Sequence, residues 1–372
     1  MKSDSRIMVG WDIGGVNIKA ARFECRDGKI KALQTVLCPF EIWQDHTKLK
    51  MKFRDIGEEL NINNSPEMAV TITAELSDAF RNKREGVLYI LDAIEQTFEK
   101  SYIYPFSING EFLNMDKARK NPLLCAATNW LASACFISAY HADYIPPDFI
   151  LMDIGSTTTD IIPIRDGKVI AKGNTDTSRM ISGELLYTGI LRANPNSVVR
   201  RVPVAGKLCT VAAEYFTSMA DVYLILGLIN SNEYSCPTAD GRAKNISAAR
   251  ERLSRLVCSD SELMCNEEIY MLACYIKEKQ LQQIVESLFQ VLSGLQDGFS
   301  LPMTVVGTGG FLAKEAARRL DIAVIELEKV WDHKTLAAFP ALAAGYLLAQ
   351  NFMGEQNDQH SDQNRWKSGP KP

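Results

Sequence analysis

The sequence predicts a two-domain α/β protein, and three observations carry that prediction. Strand-like and helix-like segments are interleaved along the chain, the order expected where helices cover a sheet. The length, 372 residues, is enough for two domains that each bury a core. A strand–turn–strand frame near the N-terminus also recurs in the middle of the chain, with Asp153 in the place of Asp12.

The elements follow in order. Strand patterns rich in Ile, Val and alternating apolar residues occupy 7–11, 16–25, 30–37 and 68–73. Helical periodicity covers 87–99 and 122–141, the latter apolar nearly all round and therefore expected to be buried. Asn121-Pro122 places proline in the first turn of that helix. The stretch YIPPD at 144–148 breaks the chain and marks the boundary between a first domain, 1–147, and a second, 148–334. Strands at 149–153, 158–164 and 168–172 open the second domain. Helices at 183–191, 210–230, 246–257, 263–295, 311–320 and 335–351 follow, interrupted by short strands at 303–306 and 322–325. The polar segment 353–372 lacks apolar periodicity and is expected to be a disordered tail.

Composition removes several function classes. A net charge of −4 gathers neither nucleic acid nor anionic lipid. No N-terminal apolar run is long enough for a signal peptide or a membrane span. The nine cysteines are scattered without a C-x-x-C pair, the pattern of free thiols in a reducing compartment. Four histidines argue against a histidine-rich metal centre. The expectation is a cytoplasmic protein acting on small molecules, with no nucleic-acid or membrane partner and with a homodimer left open.

The repeat carries the chemistry. VGWDIGGVNIKAARFECRDGKI (9–30) overlays ILMDIGSTTTDIIPIRDGKV (150–169). Each has an apolar strand ending in Asp-Ile-Gly, a small residue (Gly15 or Ser156), a second strand and an Asp-Gly-Lys turn. Either copy alone reads as an ordinary hairpin with Asp-Gly turn chemistry. As a pair they suit a polyphosphate. Gly14, Gly15 and Gly155 leave backbone N–H groups unshielded by a Cβ, and Asn17, Ser156, Thr157, Thr158 and Thr159 add neutral polar groups. Asp12 and Asp153 would repel phosphate unless Mg²⁺ lay between, since Mg²⁺ is commonly held by one or two carboxylates plus substrate phosphates. Lys19 occupies the frame position of Asp160, so one hairpin offers a cation and the other a second carboxylate. A third cluster, MTVVGTGGFLAKEAARRL at 303–320, puts Gly307, Gly309 and Gly310 between a buried strand and a helix N-terminus, a site for a phosphate or the face of a nucleoside. It is neither a P-loop nor a full dinucleotide fingerprint.

These three elements in this order resemble the superfamily of actin, the sugar kinases and the heat-shock chaperone ATPases. That resemblance implies a two-domain actin-like ATPase (ribonuclease H-like) fold with an interdomain phosphate-binding cleft. LAAFPALAAGYLLA at 336–349 is similar to the alanine-rich helix that completes the first domain in that superfamily. TAELSDAFRNKREGV (73–87), ATNWLASA (127–134), SGELLYTGILR (182–192), MADVY (219–223) and TADGRAKN (238–245) resemble one branch, the hydantoinase/oxoprolinase-like, tetrahydromethanopterin-linked one-carbon proteins. In methanogens that branch makes the aminomethylfuran–tyramine ether of methanofuran. The resemblance implies a transferase joining an (aminomethyl)furanylmethyl diphosphate to the phenol of γ-glutamyltyramine, with release of diphosphate. Mg²⁺ is the implied cofactor and ATP is not required. Asp12, Asp160 and Glu75 are candidate bases, unranked, and Asp12 and Asp153 are candidate metal ligands. Lys83, Arg84, Gly183 and Glu184 are candidate substrate contacts, Gly183-Glu184 being read as a helix start near the cleft. An ATP-dependent kinase or ring hydrolase, and a non-enzymatic nucleotide switch, share the phosphate motifs and stand as alternatives.

Overall fold

The structure, a computed structural model, describes residues 6–26, 28–62, 66–140 and 144–365, the side chains of 333 and 354–365 excepted. The chain divides into two compact units, Met1–Pro146 with Gly167–Val169 and Val330–Pro372, and Pro147–Asp166 with Ile170–Lys329.

In the first unit, strands β1 (Arg6–Gly14), β2 (Asn17–Arg26), β3 (Lys29–Pro39), β4 (Glu67–Thr73) and β5 (Tyr102–Pro105) form one sheet in the order β3-β2-β1-β4-β5. β1 pairs antiparallel with β2 and parallel with β4. Helices α1 (Leu49–Glu59), α2 (Lys83–Thr97), α3 (Met115–Lys120) and α4 (Asn129–Tyr140) belong to the same unit. A core of Val9, Trp11, Ile13, Phe53, Val70, Ile72, Ile90 and Ile94 fills between sheet and helices.

The second unit repeats the plan. In sequence come β6 (Phe149–Ile154), β7 (Thr159–Arg165), β8 (Lys168–Val169), β9 (Leu185–Leu186), the separate hairpin β10 (Arg201–Val204) and β11 (Lys207–Thr210), then β12 (Met303–Val306) and β13 (Val324–Glu326), all in the second unit except β8, which is grouped with the first. The sheet order is β13-β12-β6-β7-β8, with β9 also on β7. β6, like β1, is antiparallel to the next strand in sequence and parallel to a later one, β12. Helices α5 (Asp176–Ser182), α6 (Pro195–Val198), α7 (Met219–Ile225), α8 (Ile246–Ser254), α9 (Asn266–Ser293) and α10 (Gly310–Arg319) follow. Further on, α11 (His333–Ala337) and α12 (Phe339–Arg365) lie in the first unit.

The alanine-rich helix α12 lies directly on β1. A Cβ on Gly10 would run into the Ala341 carbonyl and come 2.9 Å from the Gly345 amide, so two glycines set the approach. That contact explains both residue choices: no larger side chain leaves room for backbone against backbone.

Four expectations change. The helix read over 183–191 is absent because Gly183, at φ +78, ends α5 in the left-handed region, and Leu185-Leu186 then pairs with β7. The single helix over 122–141 is a 3-10 turn (Pro122–Cys125) and α4, separated by Ala127 at φ 51. The helix over 210–230 shrinks to α7, started by a Ser218/Asp221 capping box; the β10–β11 hairpin precedes it, turned by Ala205 and Gly206 at positive φ. The expected tail from 353 continues as α12 to Arg365, since nothing after Gly354 breaks a helix before Gly369; residues 366–372 lie outside the described residues. Among the described residues no helix is long and apolar enough to cross a membrane.

Candidate active site: two hairpins and a glycine turn

The two hairpins share one register. Asp12 pairs with Lys19 and Ile13 with Ile18, leaving residues 14–17 as the bend. Asp153 pairs with Asp160 and Ile154 with Thr159, leaving 155–158. Lys19 and Asp160 therefore hold equivalent places, as the overlay predicts. Direct cross-strand partners point from the same face, so each hairpin presents a pair of side chains: acid and lysine in one, two acids in the other.

In the first unit Asp12 is buried, 1% exposed. Its Oδ2 meets Lys19 Nζ at 3.0 Å and its Oδ1 accepts from Thr71 Oγ1 at 3.2 Å. Asp12, expected as a metal ligand and a base, thus also holds Lys19, which keeps its ammonium partly exposed. Gly14 and Gly15 adopt ordinary negative φ, so the bend does not need glycine for a left-handed turn. Space is the reason at Gly14, where a Cβ would lie 2.9 Å from the Asn17 carbonyl; one on Gly15 would meet nothing within 4 Å. Glu75, buried just after β4, faces Lys83 Nζ at 3.5 Å. Lys83 opens α2 behind its cap Asn82, and Arg84 is exposed on the same first turn.

In the second unit the bend is braced from behind. The amides of Ile190, Leu191 and Arg192 donate to the carbonyls of Gly155 and Ser156 at 2.9–3.1 Å. A Cβ on Gly189 would crowd the Thr157 amide at 2.5 Å. Ser156, Thr157 and Thr158 stay partly exposed at the tip. Thr159 does not serve phosphate as expected: it is fully buried and its hydroxyl donates to the Thr188 carbonyl at 2.7 Å. The third glycine cluster meets this bend. Val306 pairs with Asp153, so Gly307 follows beside the carboxylate. At φ +84, a Cβ on Gly307 would run into Asp153 Oδ1. The Gly309 amide donates to the Ile154 carbonyl at 2.8 Å, and α10 starts at Gly310. Asp153, the 155–158 bend and the start of α10 thus form one surface.

Gly183 and Glu184 leave the candidate contacts. Glu184 is 2% exposed, and its carboxylate accepts from the Lys172 and Gly173 amides at 2.6 and 2.9 Å and from Ser182 Oγ at 2.8 Å. It ties a loop. Asp160, in contrast, receives Arg179 Nη1 at 2.8 Å. Arg179 escaped the sequence reading; the Thr175-Asp176 helix start in front of it was the available signal.

A divalent cation can be tested against these donors. Asp153 and Asp160 are hard oxygen ligands on one face, and the glycine at 307 leaves room beside Asp153 that a Cβ would fill. No group of three or more acid, histidine or cysteine ligands gathers among the described residues. The donor set fits a Mg²⁺ that takes its remaining ligands from phosphate and water.

The chain belongs to the hydantoinase/oxoprolinase family, whose profile matches residues 67–351, the second hairpin and the glycine turn included. A relative from Methanocaldococcus jannaschii, 34% identical over 348 residues, spans 93% of this chain and 98% of its own. Its name is (4-{4-[2-(gamma-L-glutamylamino)ethyl]phenoxymethyl}furan-2-yl)methanamine synthase. A protein of that name from Methanococcus vannielii is 29% identical over 219 residues, 57% of this chain and 96% of its own. Among solved structures, nucleotide-free acetone carboxylase superposes with a TM-score of 0.55 at 11% identity, covering 92% of this chain and 70% of that one. That likeness is one of fold alone, a mixed α/β architecture.

Proposed function

We propose that this enzyme forms the aryl ether named in its relatives, joining a furanylmethyl carbon to the phenol of a γ-glutamyltyramine. The observation that carries the reading is the end-to-end match to the named synthase, 34% over 93% of the chain. The second hairpin suits a diphosphate held through Mg²⁺, because it offers the carboxylates of Asp153 and Asp160 to the ion and the partly exposed Ser156, Thr157 and Thr158 to the phosphates.

In this reading the phenol oxygen attacks the furanylmethyl CH₂, the bond from that carbon to the diphosphate oxygen breaks, and the phenol proton passes to a base. The furan shares the positive charge at carbon, so the main burden is negative charge on the leaving group. In this reading the partly exposed Ser156, Thr157 and Thr158 at the tip and the N-terminus of α10 bear it. Asp153 and Asp160 would hold Mg²⁺, which supplies charge neutralisation to the diphosphate. The braces from Ile190, Leu191 and Arg192 keep the bend from relaxing as charge builds.

The experiment is direct. Purified protein is incubated with Mg²⁺, the furanylmethyl diphosphate and γ-glutamyltyramine, without ATP, and ether and diphosphate are followed. Equal amounts of both support the reading. No ether, with steady phosphate release from ATP instead, supports an ATP-driven enzyme and removes it.

A further inference from the structure

Two of the branch motifs carry cations that the reaction above leaves unused. SGELLYTGILR (182–192) closes on Arg192, and TADGRAKN (238–245) holds Lys244. The Arg192 amide donates to the Ser156 carbonyl at 2.9 Å, which places this residue against the second hairpin. On either side of it, the Leu191 and Ala193 carbonyls accept the Ala220 and Met219 amides at 3.1 and 2.9 Å, tying the segment to α7. Tyr234 reaches the start of the same helix, its hydroxyl 3.2 Å from Ser218 Oγ and 3.1 Å from Asp221 Oδ1. Lys244 Nζ lies 5.5 Å from the centre of the Tyr234 ring. Cys236 meets the field of both cations: burial pushes its thiol up to about 11, while Arg192 and Lys244 pull it down.

The neighbouring arginines have their acids. Arg242, Arg252 and Arg255 all meet Asp240, at 2.7, 3.1 and 3.4 Å, and Arg252 also takes Asp221 at 2.6 Å. Arg192 and Lys244 are partly buried, and among the described residues no carboxylate pairs with either. Two like charges gathered in this way repel, and an anion that joins them removes the repulsion. We propose that Arg192 and Lys244 form a binding site for an oxyanion of a substrate. The planar fork of arginine suits a carboxylate or a phosphate, and the lysine over Tyr234 adds a second charge. The identity of the anion rests on the ether-forming reading above, which offers two sources. One is the free α-carboxylate of γ-glutamyltyramine; the other is the diphosphate of its co-substrate.

Binding, rather than turnover, is measured in wild type, Arg192→Gln and Lys244→Gln. γ-Glutamyltyramine and its α-carboxamide, which differ in that one charge, are titrated by calorimetry. Inorganic diphosphate is titrated with Mn²⁺ and read by electron paramagnetic resonance, Mn²⁺ replacing Mg²⁺ as a hard, oxygen-seeking ion. Loss of one charge-assisted hydrogen bond is expected to weaken the bound oxyanion about tenfold in each variant. The α-carboxamide should bind all three proteins alike. A tenfold loss for γ-glutamyltyramine, with diphosphate unchanged, supports the site and makes its ligand the carboxylate. A tenfold loss for diphosphate, with γ-glutamyltyramine unchanged, supports the site and makes its ligand a phosphate. Arg192→Lys keeps the charge without the fork and should fall between wild type and Arg192→Gln. Equal losses for every ligand, the α-carboxamide included, mean that the substitutions only loosen the segment, and they overturn the proposal. A flat series overturns it as well. Should Arg192→Gln unfold, Lys244→Gln carries the same comparison from a different segment. Ether formation by wild type with a flat series removes the site and leaves the reading. A series that holds in a protein forming no ether keeps the site and removes the reading.

Discussion

In the first hairpin Asp12 faces Lys19; in the second, at the same register, Asp153 faces Asp160. The bends are of equal length and both leading strands have a parallel neighbour, yet the two pairs do different work. Asp12 spends both oxygens on Lys19 and Thr71 and presents an ammonium. The second hairpin presents carboxylates and recruits Arg179 from elsewhere in the chain to offset one of them. One residue on the second strand, lysine or aspartate, decides whether the same backbone presents an ammonium beside its acid or a second carboxylate.

The comparison breaks most sharply at Asp153. Asp153→Asn is expected to cost at least ~100-fold in ether formation while the protein stays folded, because losing even an outer-shell partner of a metal costs 10–100-fold; initial rates with circular dichroism check this. Lys19→Met strands the Asp12 carboxylate and should lower stability by about 1–3 kcal/mol in urea unfolding, the partial exposure of Lys19 trimming the penalty of a fully buried pair. Gly307→Ala meets both a left-handed φ and the Asp153 carboxylate, so a loss of about 1–3 kcal/mol is expected along with reduced Mn²⁺ binding. Gly15→Ala has space around it and should shift stability by less than about 1 kcal/mol, with the effect appearing in substrate KM instead.

Arg252 shows how a buried arginine looks when its role is structural. It is fully buried, and its guanidinium is met by the carboxylates of Asp221 and Asp240. Desolvation raises the Asp240 pKa, but hydrogen bonds from Arg242 and the charges of Arg252 and Arg242 outweigh it and hold the pKa at about 2. A folded pKa below the usual 3.8 adds stability that is complete above about pH 4 and is lost as pH falls toward 2. Acid unfolding should steepen in that window, and Asp240→Asn should flatten it.

The sequence showed plainly what is local or repeated. The Asp-Ile-Gly frames, their equal bends and the Gly307–Gly310 turn were readable because each is a short pattern with one backbone consequence. The roles of Thr159, Glu184 and Arg179 were not, because each depends on a partner brought in by the fold: the Thr188 carbonyl, the 172–173 amides and Asp160. Gly183 was misread for a related reason. A glycine beside an acid can begin or end a helix, and only the Thr175 cap upstream and the β9–β7 pairing downstream decide it.

The division of labour between the hairpins is tested most directly by Mn²⁺ binding in the presence of inorganic diphosphate, compared between Asp153→Asn and Asp12→Asn. The geometry predicts that the Mn²⁺–diphosphate signal disappears in Asp153→Asn and persists in Asp12→Asn. Loss in Asp12→Asn with retention in Asp153→Asn would contradict it.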